Sequence, residues 1–213
     1  YTFGKKAYEC GQVAILHNGI DLDVFRYCTE QRDAIRRELG VGIDSKLIGH
    51  IGRFDEQKNH MFLLEIFYKI QKAVPDTKLM LVGKGKLEDL IRQRAHELGI
   101  VDKIIFAGIR SDIPYLLSAM DVFVFPSLYE GMPNTVIEAQ ATGLPCVIAD
   151  TITSEANITG LVHYLPLGET EVWAEKVLSV IHSSREETYD DFLKNQYDIK
   201  SVIEQFTKLI YED

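Results

Sequence analysis

Cysteine is scarce in this chain: its 213 residues hold three, Cys10, Cys28 and Cys146. No two form a Cys-x-x-Cys pair, and three cannot all pair within one chain. This argues against a zinc site and against a disulfide framework, and suits a reducing compartment. Positive charge is also in deficit, with 23 Lys and Arg against 32 Asp and Glu and a formal net charge of -9. A phosphate-backbone partner would want a basic face, so the balance argues against nucleic acid. An anionic small ligand stays open, because a pocket can be locally basic in an acidic protein. No apolar run approaches the ~20 residues that a membrane-spanning helix needs, and no signal peptide is visible. No internal repeat, low-complexity stretch or aspartate-rich metal pattern is present. Asn157-Ile158-Thr159 has the form of a glycosylation acceptor, but so short a pattern arises by chance and carries no meaning in a cytosolic protein.

What is present is globular: 46% hydrophobic and 26% charged residues, in a length that suits one domain with a substantial core. Apolar runs alternate with helical patterns. Strands are expected at Lys46 to Ile51, Thr77 to Val82, Lys103 to Phe106, Asp121 to Phe125, Pro145 to Ala149 and Val162 to Leu165. Helices are expected at His60 to Val74, stopped by Pro75; from Leu87 to Leu98, with Gly99 as the stop; at Ser111 to Met120; and at Pro133 to Thr142, with proline at the first position and Gly143 past the end. Repeated strand and helix imply an α/β fold, a parallel sheet with helices on both faces. From Thr170 onward the chain reads as mostly helical. Asp198 caps a last helix whose stripe of Ile199, Val202, Ile203, Phe206, Leu209 and Ile210 must pack on something. No domain boundary falls inside 1–213.

In open parallel sheets ligands sit beyond the carboxyl ends of the strands, so the residues that follow each strand carry the search. After the first comes Gly52-Arg53-Phe54-Asp55-Glu56-Gln57-Lys58. Gly52 lets a ligand approach the backbone. Arg53 offers a planar fork and Lys58 a point charge, a pair suited to two phosphates; a solvated loop is the plain alternative. After the second comes Gly83-Lys84-Gly85. It begins a G-x-G-x-x-G pattern, but Glu88 stands where the third glycine belongs, and Ile104 and Ile105 occupy the region where a ribose-binding acid would lie. A nicotinamide cofactor is thereby disfavoured, and a phosphate-admitting turn and a plain tight turn stay open. After the fourth comes Pro126-Ser127-Leu128-Tyr129-Glu130-Gly131-Met132-Pro133-Asn134-Thr135, leading into a helix with Glu138 about one turn in. The free N–H groups and positive dipole end of that helix make an anion site. Two carboxylates beside it suit hydroxylated groups flanking the anion, as in a diphosphate between ribose and hexose. The alternative for Glu130 is a carboxylate that favours the helix dipole.

Glu130-x7-Glu138, with Pro126-Ser127 and Gly52-Arg53-x4-Lys58, closely resembles the retaining glycosyltransferases of family 4, which have the GT-B fold. Asn18-Gly19-Ile20-Asp21, Val82-Gly83-x-Gly85, Phe106-x-Gly108, Asp121-Val122-Phe123-Val124-Phe125-Pro126 and Ala141-Thr142-Gly143-x-Pro145-Cys146 follow in family order over about residues 13 to 166. The resemblance implies the C-terminal, nucleotide-sugar-binding half of such an enzyme, with Thr2-Phe3-Gly4-Lys5-Lys6 as the end of an N-terminal acceptor domain otherwise absent. The helix at 198 to 212 is similar to the family segment that packs back toward that domain.

The resemblance also implies roles. Arg53 and Lys58 would hold the donor diphosphate and, with Glu130 at the transferred sugar, form the catalytic set. Backbone groups of Met132, Asn134 and Thr135, beside Pro133, would assist. Glu138 would bind the ribose, Gly52, Gly83 and Gly85 would line the donor, and Ile109 and Arg110 would lie by the base. No metal or other cofactor is expected, because protein cations neutralise the diphosphate. The expected donor is a nucleoside-diphosphate sugar, a UDP-sugar by family frequency. The expected acceptor is a saccharide or lipid-linked saccharide, with polysaccharide, capsule or exopolysaccharide synthesis as the setting. The compartment is the cytoplasm, including the inner membrane face. Two other functions are compatible with the fold: a nucleotide-sugar 2-epimerase and a non-catalytic nucleotide-sugar-binding module.

The six histidines do not cluster in sequence. His17 and His50 fall within apolar runs and read as structural; Phe62, Phe67, Tyr68 and Trp173 read as core; the Arg36-Arg37 pair reads as a solvated face.

Overall fold

The computed structural model describes residues 16–211. The expectations for Thr2 to Lys6 and for Cys10 lie outside them. After helix α1 (Thr29–Glu38) come strand β1 (Lys46–Ile51), a short 3-10 turn (Glu56–Lys58), α2 (His60–Ala73), β2 (Thr77–Val82) and α3 (Glu88–Glu97). These are followed by β3 (Ile104–Gly108), α4 (Ile113–Ala119), β4 (Val122–Phe125), α5 (Asn134–Ala141), β5 (Cys146–Ala149) and β6 (Val162–Leu165). Three helices close the series: α6 (Thr170–Val180), α7 (Tyr189–Lys194) and α8 (Ile199–Tyr211).

The six strands form one parallel sheet in the order β3-β2-β1-β4-β5-β6. β4 and β5 are buried at every residue, as expected of unbroken apolar strands covered on both faces. The chain winds outward from β1 through β2 to β3, then crosses back to β4 and winds outward the other way. Because crossovers are right-handed, α2 and α3 lie on one face of the sheet and α4 and α5 on the other, while α6 returns to pack on α2, and β1 and β4 are neighbours at the point where the winding reverses. The loops leaving these two strands therefore open into one crevice.

The core follows the apolar runs. Leu63, Leu64, Phe67 and Ile70 of α2 and Trp173 of α6 are fully or almost fully buried, and Phe62 and Tyr68 pack against them at the margin. Cys28 and Cys146 are free thiols. His50 is buried, and His17 stacks on Tyr197 with centroids 4.0 Å apart.

Three expectations are corrected. Arg36 is not on a solvated face: it is 1% exposed, while Arg37 is exposed as expected. Arg36 belongs to a group of three arginines gathered on the carbonyl end of α4, where a helix leaves acceptors unsatisfied and its dipole is negative. Arg36 donates to Ala119 O at 2.9 Å and to Ser45 O; Arg32 donates to Ala119 O at 3.0 Å; Arg185 donates to Leu117 O at 2.7 Å and Met120 O at 2.6 Å. Asp121 closes the group, 2.6 Å from Arg32 and 3.3 Å from Arg36. Second, the apolar stripe of α8 is not packed away among the described residues. Asp198 does cap the helix, accepting from the backbone N–H of Lys200 and Ser201, but Ile203, Phe206, Leu209 and Ile210 are each more than half exposed. Only its first turns meet the body of the chain, where Ile199 and Val202 lie against Gly19. Third, α4 and α5 are shorter than their patterns, and Pro133 is the cap before α5 and not its first residue.

Candidate functional site

Two loops build the site, and each is shaped by its own sequence. The loop after β1 turns at Gly52 and folds into the 3-10 turn, with the Asp55 carboxylate accepting from Lys58 N at 3.3 Å. That cap aims Lys58 back across the sheet end. The loop after β4 runs along it. Leu128 N donates to Gln57 O and Gln57 Nε2 donates to Tyr129 O, both at 2.8 Å, so the loops are clasped at backbone level.

This clasp brings Lys58 and Glu130 together. Lys58 Nζ lies 2.6 Å from Glu130 Oε1, with the side chains 16% and 10% exposed. A pair so shielded is held more firmly than one on the surface. The ammonium also sits 4.7 Å from the centroid of the Phe125 ring. Arg53, one residue after Gly52, is exposed, and among the described residues it makes no ion pair. With Asp55, Glu56, Gln57, Lys86 and Tyr129 it lines an open pocket of about 450 Å³.

α5 begins directly beyond Glu130. The backbone N–H groups of Met132, Asn134 and Thr135 donate to no backbone carbonyl among the described residues, and Pro133 has none. The N-terminal end of α5 thus offers free donors and a positive dipole to the same crevice. Asn18 Nδ2 donates to Asn134 Oδ1 at 2.9 Å and ties the Asn18-Gly19 segment to this helix start. Glu138, one turn in, is half-buried and has no hydrogen-bond partner among the described residues; burial pushes its carboxyl pKa above the ordinary range.

Other expected residues lie at the edges. Gly83 and Gly85 have a reason within the fold. A Cβ at Gly83 would strike the Gly52 carbonyl oxygen, and one at Gly85 would strike the Phe54 backbone. The Gly83-Lys84-Gly85 turn is packed against the loop after β1, with Phe54 N donating to Lys84 O at 3.1 Å, so these glycines bring the cation-bearing loop close to the sheet. Ile109 is exposed after β3. Arg110 beside it is engaged: it donates to Asp112 at 2.6 and 2.8 Å and to Glu38 at 2.6 Å, which raises its pKa further. Sequence reasoning missed Gln57, Phe125 and the pairing of Lys58 with Glu130. The last two residues lie 72 positions apart, and no local pattern signals such a contact. Among the described residues no group of three His, Cys, Asp or Glu side chains could hold a metal, and no helix is long and apolar enough to cross a membrane.

A parallel sheet with a cationic loop, an open helix N-terminus and two carboxylates at its winding reversal is matched by one family model, glycosyl transferases group 1, over residues 45–183. The chain belongs to that family. Among its relatives, EpsF of Bacillus subtilis (strain 168), a protein assigned to the glycosyltransferases, is 38% identical over 187 residues, covering 87% of this chain and 49% of EpsF. The Escherichia coli UDP-Gal:alpha-D-GlcNAc-diphosphoundecaprenol alpha-1,3-galactosyltransferase is 35% identical over 142 residues, covering 65% of this chain and 37% of that enzyme. The crystal structure of Anabaena HepE in complex with UDP and glucose superposes with a TM-score of 0.80 at 20% identity, covering 92% of this chain and 56% of HepE. That likeness shows the fold, a Rossmann-like α/β sheet as in GT-B glycosyltransferases. The chain spans about half or less of the length of the curated relatives it matches.

Proposed function

We propose that this chain is the donor-binding domain of a retaining family 4 glycosyltransferase, taking a nucleoside-diphosphate sugar and passing the sugar to an acceptor held by a second domain. The observation that carries the reading is the 2.6 Å contact of Lys58 with Glu130, which joins the loop after β1, with Arg53 on it, to the loop after β4 that leads into α5 and Glu138. In this reading the diphosphate lies against Arg53, Lys58 and the α5 N-terminus. Glu138 accepts from the ribose hydroxyls, and Glu130 accepts from the hexose.

Breaking the sugar–phosphate bond puts negative charge on the departing diphosphate. Two cations and a helix dipole that face the diphosphate stabilise that charge more than they stabilise the ground state. A UDP-sugar is the favoured donor, supported by the UDP-sugar in the name of the galactosyltransferase relative and by the UDP bound to HepE. The proposal extends to a saccharide or lipid-linked saccharide acceptor, supported by the GlcNAc-diphosphoundecaprenol in the name of the same relative, with capsule or exopolysaccharide synthesis as the setting.

Calorimetric titration of this chain with UDP, UDP-glucose, UDP-galactose and GDP-mannose tests the proposal. Saturable binding of at least one, lost in Arg53→Ala/Lys58→Met, is expected. A chain that binds none of them overturns it.

A further inference from the structure

Phe125, the last residue of β4, is fully buried and reads in the sequence as one more sheet residue. Its ring face is nevertheless occupied. The Lys58 ammonium stands 4.7 Å from the ring centroid and 2.6 Å from Glu130 Oε1. The ring itself cannot tilt freely: His50 stacks on it at 5.4 Å and 25°, and Phe123 at 5.7 Å and 21°. His50 is anchored in turn through Nδ1, 2.9 Å from Val124 O. The stem of Lys58 lies along Gly52, where a Cβ would come within 3.1 Å of its Cγ and Cδ.

We propose that Phe125 is a positioning residue of the donor site, its ring face holding the Lys58 ammonium over the crevice that receives a diphosphate. The inference rests on the function proposed above. A lysine is a point charge on a flexible stem, and little in the stem itself says where the charge should stand. Glu130 directs it only while no ligand is bound, because the carboxylate and a diphosphate compete for the same ammonium. The ring competes with neither. Its quadrupole attracts the cation from below in both states, and the attraction gains strength where water is excluded. Burial holds His50 neutral, so the imidazole stacked on Phe125 adds no second cation against Lys58. Phe125 thus acts on the ligand only through Lys58.

A double-mutant cycle tests this. Phe125→Leu and Phe125→Met, each checked for folding by its melting curve, are titrated with UDP in the wild-type and Lys58→Met backgrounds. In the wild-type background each is expected to lose about three- to ten-fold in affinity; in the Lys58→Met background the loss disappears. An equal loss in both backgrounds, or none in either, overturns the inference. A ligand-free readout separates it from the function proposed: the Lys58 ε-methylene protons should carry an upfield ring-current shift in the NMR spectrum of the wild-type chain. If UDP does not bind but the shift is present, the proposed function fails and the placement of Lys58 stands. If the shift is absent, the placement itself is wrong.

Discussion

Lys58 Nζ and Glu130 Oε1, 2.6 Å apart, join the loop after β1 to the loop after β4 across the reversal point of the sheet. The two side chains expected to meet different parts of one ligand meet each other. On the proposed function, a diphosphate that takes the ammonium would release the carboxylate for the sugar. Glu130→Gln removes a competitor for Lys58 and a partner for the hexose. It should leave UDP affinity unchanged or tighter, and weaken UDP-glucose by about ten-fold. Two titrations at one pH and salt decide it, and equal weakening of both ligands would reverse the assignment.

Glu138 carries a pH signature. Burial raises its pKa, so the folded chain takes up a proton there more readily than the unfolded chain. Stability from this group is fully present below the unfolded value and is lost as pH rises through the folded one. At neutral pH the buried carboxylate is therefore unfavourable to folding. Glu138→Gln should raise the melting temperature at pH 7, with the difference vanishing once the pH falls below the ordinary carboxylate range. The same variant should weaken UDP and UDP-glucose alike, because both carry the ribose. A melting point lowered at pH 7 would contradict the origin of the shift.

Gly52→Ala tests the seating of Lys58. The added methyl would press on the lysine stem and on His50 Nε2, both 3.1 Å from its position. Displacing the stem by a fraction of a rotamer should reduce UDP affinity about two- to ten-fold. In a Lys58→Met background the methyl should make little difference. An unchanged dissociation constant in the wild-type background would mean that the stem has room to give.

Arg36 supports the fold from the other end of the sheet. Removing its charge by Arg36→Met leaves the α4 carbonyls and Asp121 short of a partner in a buried setting, at about 3 kcal/mol of stability. Urea unfolding measures the loss, and UDP affinity in the folded fraction should not change. A variant as stable as the wild type would show that Arg32 and Arg185 suffice.

Metal dependence offers a last check. On the proposed function Arg53 and Lys58 supply the positive charge that a diphosphate needs, so UDP should bind with the same dissociation constant in excess EDTA as in magnesium. Loss of binding on chelation would require a metal that bridges the ligand.

Much of the architecture could be read locally. Strands fully covered by helices are apolar over most of their length, so Thr77 to Val82 and Asp121 to Phe125 announce themselves; Pro75 cannot continue a helix, and Gly99 and Gly143 take the left-handed conformation that ends one. α1 escaped, since its pattern is mostly polar and its buried face is built from Ile35 and an arginine. The loop cations and the Glu130-x7-Glu138 spacing were legible for a similar reason: a loop residue is set by its distance from the strand end, which is a count along the chain.

What stands opposite each residue was decided only by the tertiary structure. Arg36 looks solvated until α4 presents its carbonyl end. Gly83 and Gly85 show no reason within the fold until the loop after β1 fills the space where their side chains would be. Phe125 looks like core until Lys58 arrives over its ring from 67 residues away. Charge, size and helical or strand period are properties of one segment, and the sequence determines them. Partnership depends on the order in which strands are laid down and on which helix end faces which loop, and in this protein that order is the winding reversal between β1 and β4.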